Sequence, residues 1–226
     1  MTGTTPDQRW LAAVLPFIRA ETPTAPARVL EIGCGHLGGF VPSLTVDGHD
    51  VVGVDPEAPE GSAYHRGQFE LYDVRQPMDT VIACTSLHHV TDLDRALDRV
   101  SDILVPGGNI VVVEWARELF DEDTAGWCFD RLPLDQEEGW LQRHRLGWEA
   151  SGEAWETYLA SWADAEGLYA GDTILEAMSA RFATRLLVRT PYLFSDLDDV
   201  SEATEQAAID SDLIRATGIR YVGQRR

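Results

Sequence analysis

Lysine does not occur in this chain of 226 residues: all 18 basic residues are arginines, set against 38 acidic ones. Its absence excludes Schiff-base chemistry, a P-loop whose lysine reaches nucleotide phosphates, and any lysine-dependent kinase or pyridoxal mechanism. Cysteine is scarce. Cys34, Cys84 and Cys128 stand far apart with no CxxC pair, which argues against a zinc knuckle and a disulfide framework and leaves them as reduced packing residues. The six histidines show no HxxxH spacing, so no metal is expected. No apolar run approaches the ~20 residues that a membrane span needs. The opening "MTGTTPDQRW" lacks the charged-then-apolar pattern of a secretory signal, so a cytoplasmic protein without a membrane segment is expected. Basic charge is also short, at a formal net of -20, and such a surface repels phosphate backbones; nucleic acid is not expected as a partner.

What remains is an ordinary globular composition, 44% hydrophobic and 25% charged, long enough for one well-buried core. "PDQRWLAAVLPFIRAE" has apolar residues at helical spacing, with Pro16 expected to bend or end the helix. "RVLEIG" reads as a buried strand, "GGFVPSLTVDGH" as a helix and turn, and "DVVGVD" as the next strand. The rhythm repeats in "DTVIAC", the helix "TDLDRALDRVSDIL" with Thr91 and Asp94 resembling a capping box, the turn "VPGG", and the strand "NIVVVEW". Alternation of this kind implies a parallel sheet covered on both faces. From Ala116 to about Arg181 the chain is helical in bias and rich in Trp, Glu and Ala, and is expected to be an inserted helical cap within a single domain spanning 1–226. A strand, a helix and a last strand follow in "TRLLVRTPYLF", "SEATEQAAIDSDLIRATG" and "IRYVGQRR".

Chemistry concentrates in "VLEIGCGHLGGF". Gly33 and Gly35 remove Cβ atoms where a backbone bend must approach a ligand, and Gly38 and Gly39 follow as a helix begins. Asp55 stands 22 residues after Gly33 at the end of the second strand, where a carboxylate can accept both hydroxyls of a ribose. Gly33, Gly35 and Gly38 satisfy GxGxxG, so these features alone fit a nicotinamide dinucleotide as well as S-adenosylmethionine. Glu31 tips the balance, because a carboxylate two residues before the first glycine is unfavourable beside a pyrophosphate.

Four stretches, "VLEIGCGHLGG", "VVGVDPE", "VIACTSLHHVTDLDRALDRV" and "LVPGGNIVVVEW", together resemble the class I S-adenosylmethionine-dependent methyltransferases over roughly residues 28–115. The resemblance implies an α/β fold, a doubly wound, seven-stranded, mostly parallel sheet whose last strand is antiparallel, with the helical cap inserted after strand 5. It implies S-adenosylmethionine as cofactor, with Glu31 near the cationic amino group of the methionine moiety. Cys34 and Pro56 stand within the matched cofactor motifs. An acidic residue near the end of the third strand would meet the adenine; Glu70 is preferred over Asp73. Thr85 and Ser86 would line the methyl-transfer region, or simply cap a helix. Leu37 departs from the family pattern, which most often has a glycine there.

Methyl transfer is an in-line displacement that needs alignment first and a general base only when the nucleophile must lose a proton. His88 and His89, after the fourth strand, are the candidate catalytic residues, with packing as the plainer reading of "LHHV"; His144 is a second candidate base. Trp148, Trp155 and Trp162 recur at a heptad spacing expected to mark one helix face, and some of the tryptophans would line a pocket for a small-molecule acceptor. Arg143 and Arg145 could bind a carboxylate on that acceptor. Two other functions stay open: an NAD(P)-dependent oxidoreductase, and a protein that binds S-adenosylmethionine without catalysis.

Overall fold

The structure, a computed structural model, describes residues 4–133 and 139–226. Thr5 opens helix α1 (Pro6–Glu21): its hydroxyl accepts from the Gln8 amide, and the Gln8 side chain accepts from the Thr5 amide in return. Pro16 lies inside α1 and does not end it. Burial of Val14 and Ile18 against the sheet holds the helix across the missing amide, so of the expected bend or end the end is corrected.

The apolar stretches then fall into β1 (Arg28–Ile32), the short helix α2 (Val41–Val46), β2 (Asp50–Asp55), β3 (Tyr64–Arg66), β4 (Met78–Cys84), α3 (Leu93–Ile103) and β5 (Leu104–Trp115). Four helices follow among the described residues, α4 (Glu122–Phe129), α5 (Trp140–Ser151), α6 (Trp155–Ala165) and α7 (Gly171–Arg181), and β6 (Phe182–Thr190), α8 (Glu202–Asp210) and β7 (Gly218–Arg225) complete the chain. The sheet has seven strands in the order β3-β2-β1-β4-β5-β7-β6. Every pair is parallel except those made by β7, which runs antiparallel to both β5 and β6. This is the doubly wound, mostly parallel architecture expected from the sequence.

Strand order reverses between β1 and β4, and at such a switch point the loops leave in opposite directions and open a crevice beyond the strands' carboxyl ends. One sheet face is covered by α1 and α2, through Val14, Ile18, Phe40, Val41 and Leu44 packed on Val29, Val51 and Val111. The other is covered by α3 and α7, with Leu97, Val100, Ile174 and Met178 against Leu30, Val81, Ile110 and Val112. Thus α7, although within the stretch 116–181, packs with the sheet. The helices α4, α5 and α6 form a third, aromatic cluster around fully buried Trp155.

Three local expectations are corrected. The cap of α3 is Asp92, whose carboxylate accepts from the Arg95 amide, and not Thr91. The stretch "VPGG" lies within β5, with an irregular register opposite Met78–Thr80 instead of a separate turn. Trp148 ends on α5 while Trp155 and Trp162 lie on α6, because Gly152, with φ of 67°, terminates α5 in the left-handed region. The three do not share a helix face, although the Trp148 and Trp155 rings still meet edge to face at 5.4 Å.

Candidate functional site

β1 ends at the glycine bend. Gly33 has φ of 78° and its amide donates to the Val54 carbonyl at 2.9 Å, which ties the bend to the end of β2. A Cβ on Gly33 would stand 2.3 Å from the Cβ of Ser86, so only glycine lets the bend touch the loop after β4. At Gly35, with φ of 60°, an added Cβ would meet nothing within 4 Å. That open side lines two recesses, one on each flank of the bend.

The first is a groove of about 340 Å³ between the ends of β1, β2 and β4. Asp55, Pro56, Glu70, Thr85, Ser86 and His89 all line it, with Gly33 and Gly35. Asp55 is already oriented: one carboxylate oxygen accepts from the Gly35 amide at 3.0 Å and the other from the Glu57 amide at 2.6 Å. Each oxygen keeps a lone pair for a ligand hydroxyl. Glu70 sits in a single 3-10 turn, Phe69–Leu71, on the groove wall, whereas Asp73 is exposed and away from it.

The second recess, about 260 Å³, contains Glu31, Cys34, Gly33, Gly35 and Thr85, closed by Trp10 of α1 and by Trp140, Tyr192 and Asp196. Glu31 is buried, and its carboxylate accepts from the Phe40 amide at 2.8 Å. Burial pushes its carboxyl up to about 8, against the opposing pull of the Phe40 and Val41 amides. Burial likewise pushes the Cys34 thiol up to about 12, which makes it a packing group and not a nucleophile. Asp7, Glu31 and Asp196 bring carboxyl groups to these walls, with burial holding Glu31 and Asp196 toward the protonated form, and no arginine lines the recess among the described residues. A pyrophosphate finds no basic partner here, whereas a ligand end of net positive charge would draw these carboxyls back to their charged form.

Thr85 separates the two recesses, and its φ of 51° is rare for a β-branched residue. Its amide bonds the Val113 carbonyl at 2.8 Å, one of the contacts that hold the unusual backbone in place. Ser86 is committed structurally, its hydroxyl donating to the Ile32 carbonyl at 3.0 Å.

Sequence reasoning did not single out Glu114, at the end of β5, yet it organises the next loop. Fully buried, it accepts from the amides of Ser86 at 2.9 Å, Leu87 at 2.7 Å and Trp115 at 3.1 Å, and its Oε2 meets His88 Nδ1 at 2.6 Å. Burial opposes the charge on His88, but the Glu114 carboxylate more than offsets it and raises the imidazole pKa; the same contacts hold Glu114 below the usual carboxylate range despite its burial. The one available signal was a carboxylate in an otherwise unbroken apolar strand, where an unpaired charge would be costly.

The rings of His88 and His89 lie with centroids 4.1 Å apart, tilted by 42°, and both line a third cavity, about 540 Å³, walled by Trp115, Trp140, Tyr158, Trp162 and Tyr192. His89 belongs also to the groove beside Asp55, and Trp140 and Tyr192 belong also to the acidic recess, so the three spaces meet at shared walls. His144 and Arg143 line the same cavity, while Arg145 pairs with Glu149 on the surface. Burial drives His144 down to about 4, leaving it neutral. Its Nδ1 is 3.3 Å from the Tyr158 hydroxyl. No group of three or more potential metal ligands occurs among the described residues.

Residues 7–165 match the sequence profile of a family described as a methyltransferase domain. The chain is 34% identical to an uncharacterised methyltransferase of Bacillus cytotoxicus over 38% of this chain and 46% of that protein. It is 37% identical to a ubiquinone biosynthesis O-methyltransferase of a Bradyrhizobium species, over 38% of each. The matched stretch thus spans less than half the length of these curated relatives. Among solved structures, the N-methyltransferase NodS of Bradyrhizobium japonicum, bound to S-adenosyl-L-homocysteine, superposes with a TM-score of 0.56 at 12% identity, covering 98% of this chain and 88% of that one. The PH0226 protein of Pyrococcus horikoshii superposes with a TM-score of 0.58 at 14% identity, covering 96% and 89%. Profile, strand order and glycine bend agree: the chain belongs to the methyltransferase-domain family and has the class I, S-adenosylmethionine-dependent fold.

Proposed function

We propose that this protein transfers the methyl group of S-adenosylmethionine to a small molecule held in the 540 Å³ aromatic cavity. The observation that carries the reading is the continuity of the three spaces through Thr85, His89, Trp140 and Tyr192, which sets the glycine bend beside the cavity. In this reading Asp55 holds the ribose, Glu70 and Pro56 flank the adenine, and Glu31, Cys34 and Thr85 line the methionine end. S-adenosylmethionine supplies, when bound, a methyl carbon already activated by its sulfonium. The protein's part is to align the acceptor, exclude water and accept a proton. The rigid bend and the strained Thr85 serve alignment, since their geometry is set before any ligand arrives.

His88 is the group placed to take the proton. Nδ1 is occupied by Glu114, which leaves Nε2 for the acceptor, and the buried carboxylate stabilises the imidazolium that forms. His89, shared by groove and cavity, packs on His88 and helps set its ring. The helices α4 to α6 act as the cap over the acceptor, within a single domain. The acidic walls of the methionine recess weigh against the nicotinamide alternative. The acidic surface and the expected cytoplasmic location suit a small-molecule acceptor and not nucleic acid; no described helix is long and apolar enough to cross a membrane.

The test is calorimetric titration with S-adenosylmethionine, S-adenosylhomocysteine and NAD in parallel. Micromolar binding of the first two and none of NAD is expected. Binding of NAD alone would overturn the assignment.

A further inference from the structure

Asp7, Glu31 and Asp196 bring carboxyls to the recess at the glycine bend, and the three are not equivalent. Glu31 is 1% exposed and accepts from the Phe40 amide at 2.8 Å, and a Cβ on Gly39 would stand 2.1 Å from its Oε1, so its carboxyl is packed into the backbone that starts α2. Asp7, in the first turn of α1, is exposed to solvent. Asp196 lies between these extremes, half-buried at the end of the 3-10 turn Phe194–Asp196.

Two elements fix Asp196 in place. Arg9 of α1 donates from its guanidinium to the carbonyls of Ser195 and Leu197, the residues on either side of it, so this cation is spent on backbone. The Asp196 carboxyl itself accepts from neutral groups, the Ser195 hydroxyl at 3.3 Å and the Trp140 indole. Neutral donors orient a carboxylate without cancelling its charge. Burial is the main force that raises its pKa, and the charge of Asp7 adds to it, against the two donors and Arg9. A bound cation would restore the charge that burial disfavours.

Position decides which cation that is. Asp196 lines the recess with Gly33, Gly35 and Thr85 and does not line the aromatic cavity, although its donor Trp140 and the nearby Tyr192 belong to both. It therefore stands beside the part of the cofactor that lies along the bend and not beside the acceptor. The rings of Trp10 and Tyr192, 6.4 Å apart on the same walls, keep an ion pair there in a less polar setting than the exposed Asp7 could offer. From the oriented carboxyl, the committed Arg9 and this placement, we infer that Asp196 is the counter-ion of the cationic amino group of S-adenosylmethionine. It is a cofactor contact supplied by the loop after β6, outside the four stretches that carry the family resemblance. This rests on the methyl-transfer reading above. The contact serves S-adenosylhomocysteine equally, because the product keeps the amino group and loses only the methyl.

The experiment is a cycle of one substitution against one ligand group, read as binding and not turnover. S-adenosylhomocysteine and its deamino analogue, identical but for a hydrogen in place of the amino group, are titrated into the native protein and into Asp196→Asn. Asparagine keeps the side chain's shape and an oxygen for Trp140 and Ser195. The native protein should bind S-adenosylhomocysteine about tenfold tighter than the analogue. The variant should lose about tenfold for S-adenosylhomocysteine and almost nothing for the analogue, which brings the two ligands level. Equal affinities in the native protein, an unchanged S-adenosylhomocysteine affinity in Asp196→Asn, or an equal loss for both ligands would each overturn the inference. Should that variant not fold, the ranking in the native protein decides. Failure of S-adenosylhomocysteine to bind the native protein would instead sink the methyl-transfer reading itself.

Discussion

At the scale of single residues, the carboxylates Asp55, Glu31 and Glu114 are each held by backbone amides before a ligand arrives. Asp55 shows the logic most clearly: two backbone amides fix its carboxylate and leave a lone pair on each oxygen. Asp55→Ala should weaken S-adenosylhomocysteine binding about tenfold or more, since hydrogen bonds to a charged group are worth roughly 1.5–3 kcal/mol. Calorimetry checks this, and unchanged affinity would remove the ribose role. Much of this site was legible in the sequence, because Gly33, Gly35, Glu31 and Asp55 stand at fixed distances along a strand–bend–strand unit. Glu114 was not: its role depends on β5 lying beside β4, a pairing between residues 80–84 and 109–113 that local pattern does not encode. Sequence reasoning reads Ser86 as lining the methyl-transfer region or capping a helix; in the folded chain it lines the groove and its hydroxyl donates to the Ile32 carbonyl at the end of β1.

At the scale of elements, periodicity located the helices and strands, and the failures share one cause. Pro16 and the tryptophan heptad were judged by local rules, and tertiary burial overrode the first while Gly152 broke the second. The three-residue strand β3 is too short to give a period and was missed; the neighbouring Glu70 lines the groove and Asp73 does not. One contact between elements matters for the site more than any helix boundary. Glu205 on α8 is buried and accepts from the amides of Tyr192 at 2.9 Å, Leu193 at 3.0 Å and Phe194 at 2.6 Å, so it pins the loop that carries Tyr192 between two of the cavities. Glu205→Ala strands these donors and should cost about 3 kcal/mol in urea unfolding. A cost below about 0.5 kcal/mol, the range of a neutral surface change, would show that the loop holds itself.

At the scale of the whole molecule, two buried carboxyls set how stability responds to pH. Burial, against amide hydrogen bonds, lifts Glu31 to about 8 and Glu205 to about 7. Both values lie above those of an unfolded chain, so the folded state binds more protons than the unfolded one between about pH 4.5 and 8. Stability is therefore fullest near the unfolded value and is lost as pH rises through 7 and 8; His88, raised by Glu114, acts in the same direction. On the acid side, Glu114 and Asp121 are held below their ordinary values and lose their contribution as they protonate. Thermal melts of the ligand-free protein should fall by several degrees from pH 5.5 to 8.5, and Glu31→Gln should flatten that slope. A profile that rises over this interval would contradict the buried placement of both acids.

The loop and its clamp occupy one contiguous stretch, residues 191–205, outside the sheet strands and outside the glycine bend. A graft of that stretch from a relative would carry its own anchor with it. Such an exchange would replace the Tyr192 wall shared by two of the cavities and leave Asp55 and its two amides as they are.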